Sequence, residues 1–303
     1  MSDYIICLGK STLDRIWPVH TLPSKGGKYP ASDYFELGGG MAATAAVAVA
    51  RLGAKAAFYG RAGKDPAGYA MLEELAGYGV DVSQFRLFEG ARSSVSGILV
   101  DSEGERVIAN FSGARIPDDA EWLQLDDVRH AGAVLVDVRW KDGGVAICSA
   151  ARPLGIPTVM DGESADATIY EALLPVVDHA IFSLPGLRSF GGGKLTNHMQ
   201  ILQHVRSMGC KVAAVTMGDQ GCLWLDDDGP HHQPAFGVNV VDTTGAGDVF
   251  HGAYALALAE GMDVPAAMRF ASGVAALKCT HHGGRAGIPT RREVDQFLAR
   301  QTH

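Results

Sequence analysis

Long apolar runs are missing from this chain of 303 residues. None approaches the roughly 18 consecutive apolar residues that a bilayer-crossing helix needs, which argues against a helical membrane anchor. The opening stretch also lacks a basic segment followed by a signal-like apolar core, so export is not expected and the predicted location is cytoplasmic. Cysteine is scarce: the five, Cys7, Cys148, Cys210, Cys222 and Cys279, are scattered and form no CxxC pair. They read as reduced, mostly buried thiols rather than a disulfide framework or a zinc cluster. Basic charge is in deficit, with 26 Lys and Arg against 34 Asp and Glu, and the net charge of −8 argues against a nucleic-acid partner. The eleven histidines include the adjacent pairs His231-His232 and His281-His282, but no acidic or Cys partner stands at ligand spacing to make a metal site there. Internal repeats and low-complexity linkers are absent too. What remains, 47% hydrophobic and 20% charged, suits one large globular unit spanning 1–303.

Within that unit, short apolar runs at 4–8, 56–59, 133–138, 158–160, 179–182 and 212–216 alternate with amphipathic stretches such as 42–52, 68–78 and 199–208. The alternation predicts a central, mostly parallel sheet with helices on both faces. Two segments break the rhythm, 14–37 and 92–111, where β-formers alternate with polar residues. Asp101-Ser102-Glu103-Gly104 reads as a hairpin turn in the second. Together the two segments are expected to form a small β-sheet over the core. The last third, at 248–260, 264–278 and 291–300, reads as helical. The run Gly191-Gly192-Gly193-Lys194-Leu195-Thr196 imitates a phosphate-binding loop, but Lys194 is not followed directly by Ser or Thr, and it reads as a flexible loop.

Chemistry concentrates at Val240-Val241-Asp242-Thr243-Thr244-Gly245-Ala246-Gly247-Asp248-Val249-Phe250-His251-Gly252. An apolar strand end runs into a small-residue turn and then a helix opened by Gly245, Ala246 and Gly247. Such a start leaves backbone N–H groups unpaired at the positive end of the helix dipole, a ready anion site. Asp248 falls in the first turn, where a carboxylate beside a bound phosphate would repel it. The placement makes sense if Asp248 takes a proton from a hydroxyl as that hydroxyl attacks a phosphoryl group. Upstream, Val215-Thr216-Met217-Gly218-Asp219-Gln220-Gly221 reads as a strand followed by a glycine-spaced turn, a place for the donor nucleotide.

The chain resembles the ribokinase, or PfkB, family of sugar kinases. Residues 240–252 resemble its C-terminal signature, and the resemblance implies Asp248 as catalytic base and Gly245, Ala246 and Gly247 as the anion hole. Gly38-Gly39-Gly40-Met41-Ala42-Ala43-Thr44, followed by Gly60-Arg61-Ala62-Gly63-Lys64-Asp65-Pro66-Ala67-Gly68, resembles the N-terminal signature, with Thr44 where Asn is usual. Either run alone is a weak signal, whereas the two in order are specific, and the likeness spans nearly the whole chain. It implies a ribokinase-like α/β fold with a small β-sheet lid, ATP and a sugar as substrates, Mg²⁺, and a homodimer formed through the lid. It further implies an ATP site lined by Thr216, Gly218 and Gly221, a sugar site with Asp14, Gly39 and Gly40, and monovalent-cation (K⁺) ligands from Asp242 and Thr244.

One departure stands out. Where many members carry Asn-x-x-Glu, tied to the magnesium water shell, this chain has Ser183-Leu184-Pro185-Gly186. Asp161 or Glu163 at a strand end is the expected substitute. On the acceptor side, Lys28, Asn110 and Arg139, each by itself an ordinary solvated group, could converge on an anionic end group. The strings around them, with 279–289, resemble most closely the sulfofructose kinase branch, which implies that the trio holds the sulfonate of 6-deoxy-6-sulfofructose and that O1 is phosphorylated, in sulfoquinovose breakdown. A sulfonate is a monoanion with three acceptor oxygens, whereas a phosphate monoester carries about −1.5 to −2. A kinase of another ketose or ketose 6-phosphate remains open, as does a catalytically silent sugar sensor on the same scaffold.

Overall fold

The computed structural model describes residues 4–192 and 197–301. In chain order the first half comprises β1 (Tyr4–Gly9), β2 (Thr12–Pro18), β3 (Phe35–Gly39), α1 (Met41–Arg51), β4 (Lys55–Gly63), α2 (Pro66–Gly77), β5 (Phe85–Phe88), β6 (Val95–Val100), β7 (Arg106–Phe111), β8 (Ala133–Asp137) and α3 (Lys141–Ala151). The second half adds β9 (Thr158–Gly162), α4 (Ala167–Leu173), β10 (His179–Ser183), α5 (Leu184–Gly191), α6 (His198–Ser207), β11 (Val212–Thr216), β12 (Cys222–Asp226) and β13 (Gly229–Gln233). It closes with α7 (Ala246–Ala259), α8 (Val264–Lys278) and α9 (Arg291–Arg300).

Nine strands form one sheet in the order β13-β12-β11-β10-β9-β8-β1-β4-β5, parallel from β5 through β11 and antiparallel only at the β12 and β13 edge. Its central strands are apolar on both faces because both are covered. Along β1, Ile5 and Cys7 enter one core while Ile6 and Leu8 enter the other, the two-residue alternation of a pleated strand. The first core packs against α1, α7 and α8, the second against α3 to α6. No helix among the described residues is long and apolar enough to cross a membrane.

The segments that break the βα rhythm supply a separate sheet in the order β3-β2-β6-β7, with β2 and β6 parallel and the outer pairs antiparallel. This is a ribokinase-like α/β fold with a four-stranded lid. The β12–β13 hairpin, β5 and α3 to α5 were not singled out by the sequence pattern, since these short elements lack a clean period. In the glycine-rich run after α5, Gly191 ends the helix and Gly192 adopts a left-handed cap at φ +59°. Residues 193–196, the rest of the expected flexible loop, lie outside the described residues.

Candidate active site

The strand order reverses at β1: the chain runs outward from it to β4 and β5 on one side, then returns to β8 on its other side and continues through β9, β10 and β11. In open α/β sheets the crevice at the carboxyl ends of such strands is where ligands bind. Here that end gathers Lys10, Asp137, Arg139, Asp161, Glu163 and Ser183, each within two residues of its strand terminus. The N-terminus of α7 is aimed at the same place. Gly245 is its N-cap at φ +73°, a left-handed conformation that a side chain would strain. No side chain caps the helix; the Ala246 amide turns back to the Thr243 carbonyl oxygen at 3.1 Å, a bond that an anion seated here would share or displace. Asp248 lies half-buried in the first turn, and its pKa is pushed up to about 8, by burial first and then by the nearby Asp161 charge.

His251, one turn on, anchors this helix start. Its Nδ1 lies 2.7 Å from the Gly247 carbonyl oxygen and 3.3 Å from Asp161 Oδ2, and its Nε2 lies 3.1 Å from the carbonyl oxygen of Ile181 in β10. Asp161 is buried, with Oδ2 lacking a hydrogen-bond partner, and burial raises its pKa well above the carboxylate range.

Two cavities open on this floor. One of about 510 Å³ is lined by Thr216, Gly218 and Gly221 together with Ala246 and Gly247, and walled by apolar Phe236, Val240, Phe250 and Ala275. The glycine-spaced turn and the helix start, distant in sequence, thus share one space. The second cavity, of about 250 Å³, includes Lys10, Ser11, Arg61, Arg115 and Arg139 in its lining, with Trp140 as a wall. Four cations face it, against Asp118 as the acid. Arg61 stacks over Trp140 at 4.7 Å and bonds Asp118 at 2.7 Å, and Arg139 donates to the Ser164 carbonyl at 2.9 Å. Burial pulls the Lys10 pKa down, with Arg139 the next cause, and Ser11 Oγ is buried without a partner.

The lid brings the acceptor candidates into line. Leu37, Asp14, Ser96 and Asn110 are register partners across its four strands. Asn110 Nδ2 donates to Ser96 Oγ at 3.0 Å, and Ser112, a residue of the basic cavity, donates to Asn110 Oδ1 at 3.2 Å. Asp14 is raised in pKa by burial, and its carboxylate lies where any side chain on Gly39 would have to go. Gly40, at φ +96°, starts α1 beside them. Lys28 is the outlier: it is exposed in the irregular stretch between β2 and β3, and no hydrogen bond or ion pair ties it to the row among the described residues.

Ser183 stands at the position where the Asn-x-x-Glu motif would begin. Its hydroxyl donates to Glu163 Oε1 at 2.9 Å and accepts from the Gly186 amide at 3.0 Å, capping α5. A Cβ on Gly186 would lie 2.0 Å from the Gly162 carbonyl oxygen, so the β9 end that carries Glu163 fills the space a glutamate there would occupy. Among the described residues no cluster of three acidic, His or Cys side chains could hold a metal unaided. Asp161 and Glu163 nevertheless offer carboxylate oxygens, the donor type a hard divalent cation takes.

Asp242 and Thr244 are heavily engaged. Asp242 Oδ1 accepts from the Thr244 amide at 2.8 Å and Oδ2 from the Gly283 amide at 2.9 Å. Lys278 Nζ donates to the Asp242 carbonyl at 2.7 Å, and Arg106 of the lid donates to Thr244 Oγ1 at 2.6 Å.

Sequence reasoning missed several residues that the fold brings here. Arg285, buried from beyond α8, donates to the Gly39 carbonyl at 2.8 Å and to Glu74 at 2.9 Å, with Thr44 Oγ1 at 3.4 Å. Thr44, the departure from the N-terminal signature, is therefore a partner of Arg285. Lys10, Arg115 and Arg139 come from three separate connections and Arg61 from strand β4, so no sequence window could reveal their convergence. His251 was findable, because a residue three after Asp248 must share its helix face.

Comparison with known proteins agrees with this geometry. Residues 2–291 match the family described as pfkB family carbohydrate kinase. A ribokinase of Bacillus subtilis is 30% identical over 298 residues, covering 97% of this chain and 99% of the relative. Among solved structures, Arabidopsis thaliana ribokinase complexed with ribose and ATP superposes with a TM-score of 0.87 at 27% identity, covering 98% and 99% of the two chains. A protein of Agrobacterium tumefaciens, described provisionally as a ribokinase, reaches 0.92 at 38% identity over 99% and 98%.

Proposed function

The chain belongs to the pfkB family of carbohydrate kinases, and from that premise we propose that it transfers the γ-phosphoryl group of ATP to O1 of 6-deoxy-6-sulfofructose, in sulfoquinovose degradation. Asp248 accepts the proton of the acceptor hydroxyl, whose oxygen forms a bond to the γ-phosphorus as the bond to the β,γ-bridging oxygen breaks and ADP leaves. The Gly245, Ala246 and Gly247 amides receive the charge on the transferring group. A base pKa of about 8 suits proton abstraction near neutral pH. Mg²⁺, bound with ATP, neutralises phosphate charge. Asp161 and Glu163 are the carboxylates we assign to its support, and Glu163→Gln is expected to raise the Mg²⁺ concentration needed for half-maximal rate. An unchanged Mg²⁺ curve would remove Glu163 from that role.

The basic cavity carries the choice of acceptor. Lys10, Arg61, Arg115 and Arg139 surround a space next to the Asp14–Ser96–Asn110 row, and a neutral sugar would leave that charge unanswered. A sulfonate suits it, with Arg139 and Asn110 as its donors, and Lys28, exposed in the lid connection, contributes only if that connection moves toward the cavity. The deciding experiment is ADP release with Mg·ATP on sulfofructose, fructose 6-phosphate, fructose and ribose, for wild type and Arg139→Ala. Losing a charge-assisted hydrogen bond costs about 1.5–3 kcal/mol, so the variant should lose about tenfold or more in kcat/KM on sulfofructose with the KM for ATP little changed. Equal loss on fructose would contradict the sulfonate role.

A second reading, ribose as acceptor, is favoured by the names of the relatives. Preferential turnover of ribose would establish it and leave the mechanism intact. Silence with every sugar, despite ATP binding, would favour a sensor.

A further inference from the structure

Lys278 is a buried charge that phosphoryl transfer as described above does not use. It is the last residue of α8, its side chain is wholly inaccessible, and its Nζ donates to the Asp242 carbonyl at 2.7 Å while standing 3.9 Å from the Asp242 carboxylate. A buried ammonium is costly to keep, so an apolar side chain would serve better if the position only had to be filled. The charge is directed at one loop. The Val241 and Asp242 amides donate to the Cys279 carbonyl at 2.8 and 3.1 Å, which fixes the loop to the end of α8. The Asp242 carboxylate then holds the Thr244 amide, immediately before the left-handed Gly245.

Could a monovalent ion sit here instead? An ion needs free oxygen lone pairs. The Asp242 oxygens already face the N–H groups of Thr244 and Gly283 and the Lys278 ammonium, and the Arg106 guanidinium lies 3.7 Å from Oδ1. These are positive ends that would repel a cation, so the residues present do not fit K⁺ at Asp242 and Thr244.

We propose that Lys278 is a built-in cation, a positioning residue whose ammonium holds the 242–247 loop so that the anion hole keeps its geometry without a bound monovalent ion. The role of that loop rests on the kinase reading; the ammonium taking the place of an ion does not.

The test has a kinetic arm and a crystallographic one. Wild-type turnover should agree within about twofold between buffers containing only tetramethylammonium and the same buffers with saturating KCl, and greater activation would overturn the proposal. Lys278→Ala should lose about tenfold or more in kcat, the scale of a lost charged hydrogen bond, and recover partly with NH₄⁺ or K⁺ refilling the hole. Lys278→Met, with the hole filled, should lose as much and not recover. An undiminished Met variant, or an Ala variant indifferent to both ions, would refute the idea. Crystals soaked in RbCl need no acceptor: wild type should show no anomalous peak at Asp242, and a peak there would defeat the proposal even if the kinase reading stands. Because the wild-type arms require no variant to fold, they decide the matter if Lys278→Ala is insoluble, and the soak decides it if no sugar is turned over.

Discussion

At the scale of the residue, the behaviour of Asp248 is set by its surroundings. Burial and the Asp161 charge both disfavour its ionised form, which raises its pKa to about 8. The base role we propose for Asp248 requires the ionised form, so kcat/KM should rise with pH and level off above about 8. A profile flat from pH 6 to 9 would contradict the assignment. The stability consequence has the opposite sign. Between the ordinary carboxylate value of 3.8 and about 8 the folded state holds a proton that the unfolded state has released, so stability is fullest below that window and falls as pH rises through it. Asp248→Asn removes the titration. It should lose about 10²- to 10⁴-fold in kcat while gaining thermal stability over wild type most clearly at alkaline pH, read by melting temperature against pH.

At the scale of the element, the site depends on how closely α7 approaches α1. The stretch Met41–Arg51 reads MAATAAVAVAR, and its many alanines allow backbone to meet backbone. At the contact, a Cβ on Gly252 would lie 2.5 Å from the Ala45 carbonyl oxygen, so α7 can take no side chain there without moving. Gly252 follows Asp248 by one turn, and any displacement passes directly to Asp248 and the start of α7. Gly252→Ala should destabilise the protein by about 1–3 kcal/mol, the usual cost of overpacking, and lower kcat more than it alters the KM for ATP. A variant matching wild type in melting temperature and kcat would mean that the helices can part freely. On the other side of α1, Asp65 caps α2 through the Gly68 amide and also receives the Ser93 amide and hydroxyl, which ties the start of α2 to the root of the lid. The 60–68 part of the N-terminal signature is thus an assembly joint.

At the scale of the whole molecule, the lid leaves both of its edge strands with exposed apolar side chains. β7 is an edge strand exposed along its length, and Val107, Ile108 and Phe111, with Tyr34 and Phe35 on the opposite edge strand and its approach, present large apolar surface. Such an edge invites pairing, and a second lid would cover it. We therefore expect a homodimer in solution, with Ile108→Glu shifting it to monomer in size-exclusion chromatography with light scattering. A wild-type monomer would send the edge back for another explanation. Arg106 lies on the same strand and donates to Thr244, so a change at this edge is physically connected to the 242–247 loop.

Much of this was legible in residue order, because it depends on neighbours in sequence. Parallel strands covered on both faces read as continuous apolar runs, as in 212–216, and helices such as Val264–Lys278 and Arg291–Arg300 carry their own periodicity and boundaries. The helix start at Gly245 with Asp248 in its first turn is likewise local, set by glycine's freedom at positive φ and by the unpaired amides of any helix N-terminus. What only the tertiary structure decided is everything that acts through space. The pKa of Asp248, on α7, comes from burial and from Asp161, which lies far off in sequence on β9. The basic cavity gathers Lys10, Arg115 and Arg139 from three connections and Arg61 from β4, while Lys28 stays outside the row. Asp242 could be read from sequence as an ion ligand, but the Lys278 ammonium reaches it from 36 residues away. Sequence can name a charge; desolvation and the distance to the opposite charge determine what it does, and those exist only once the chain has folded.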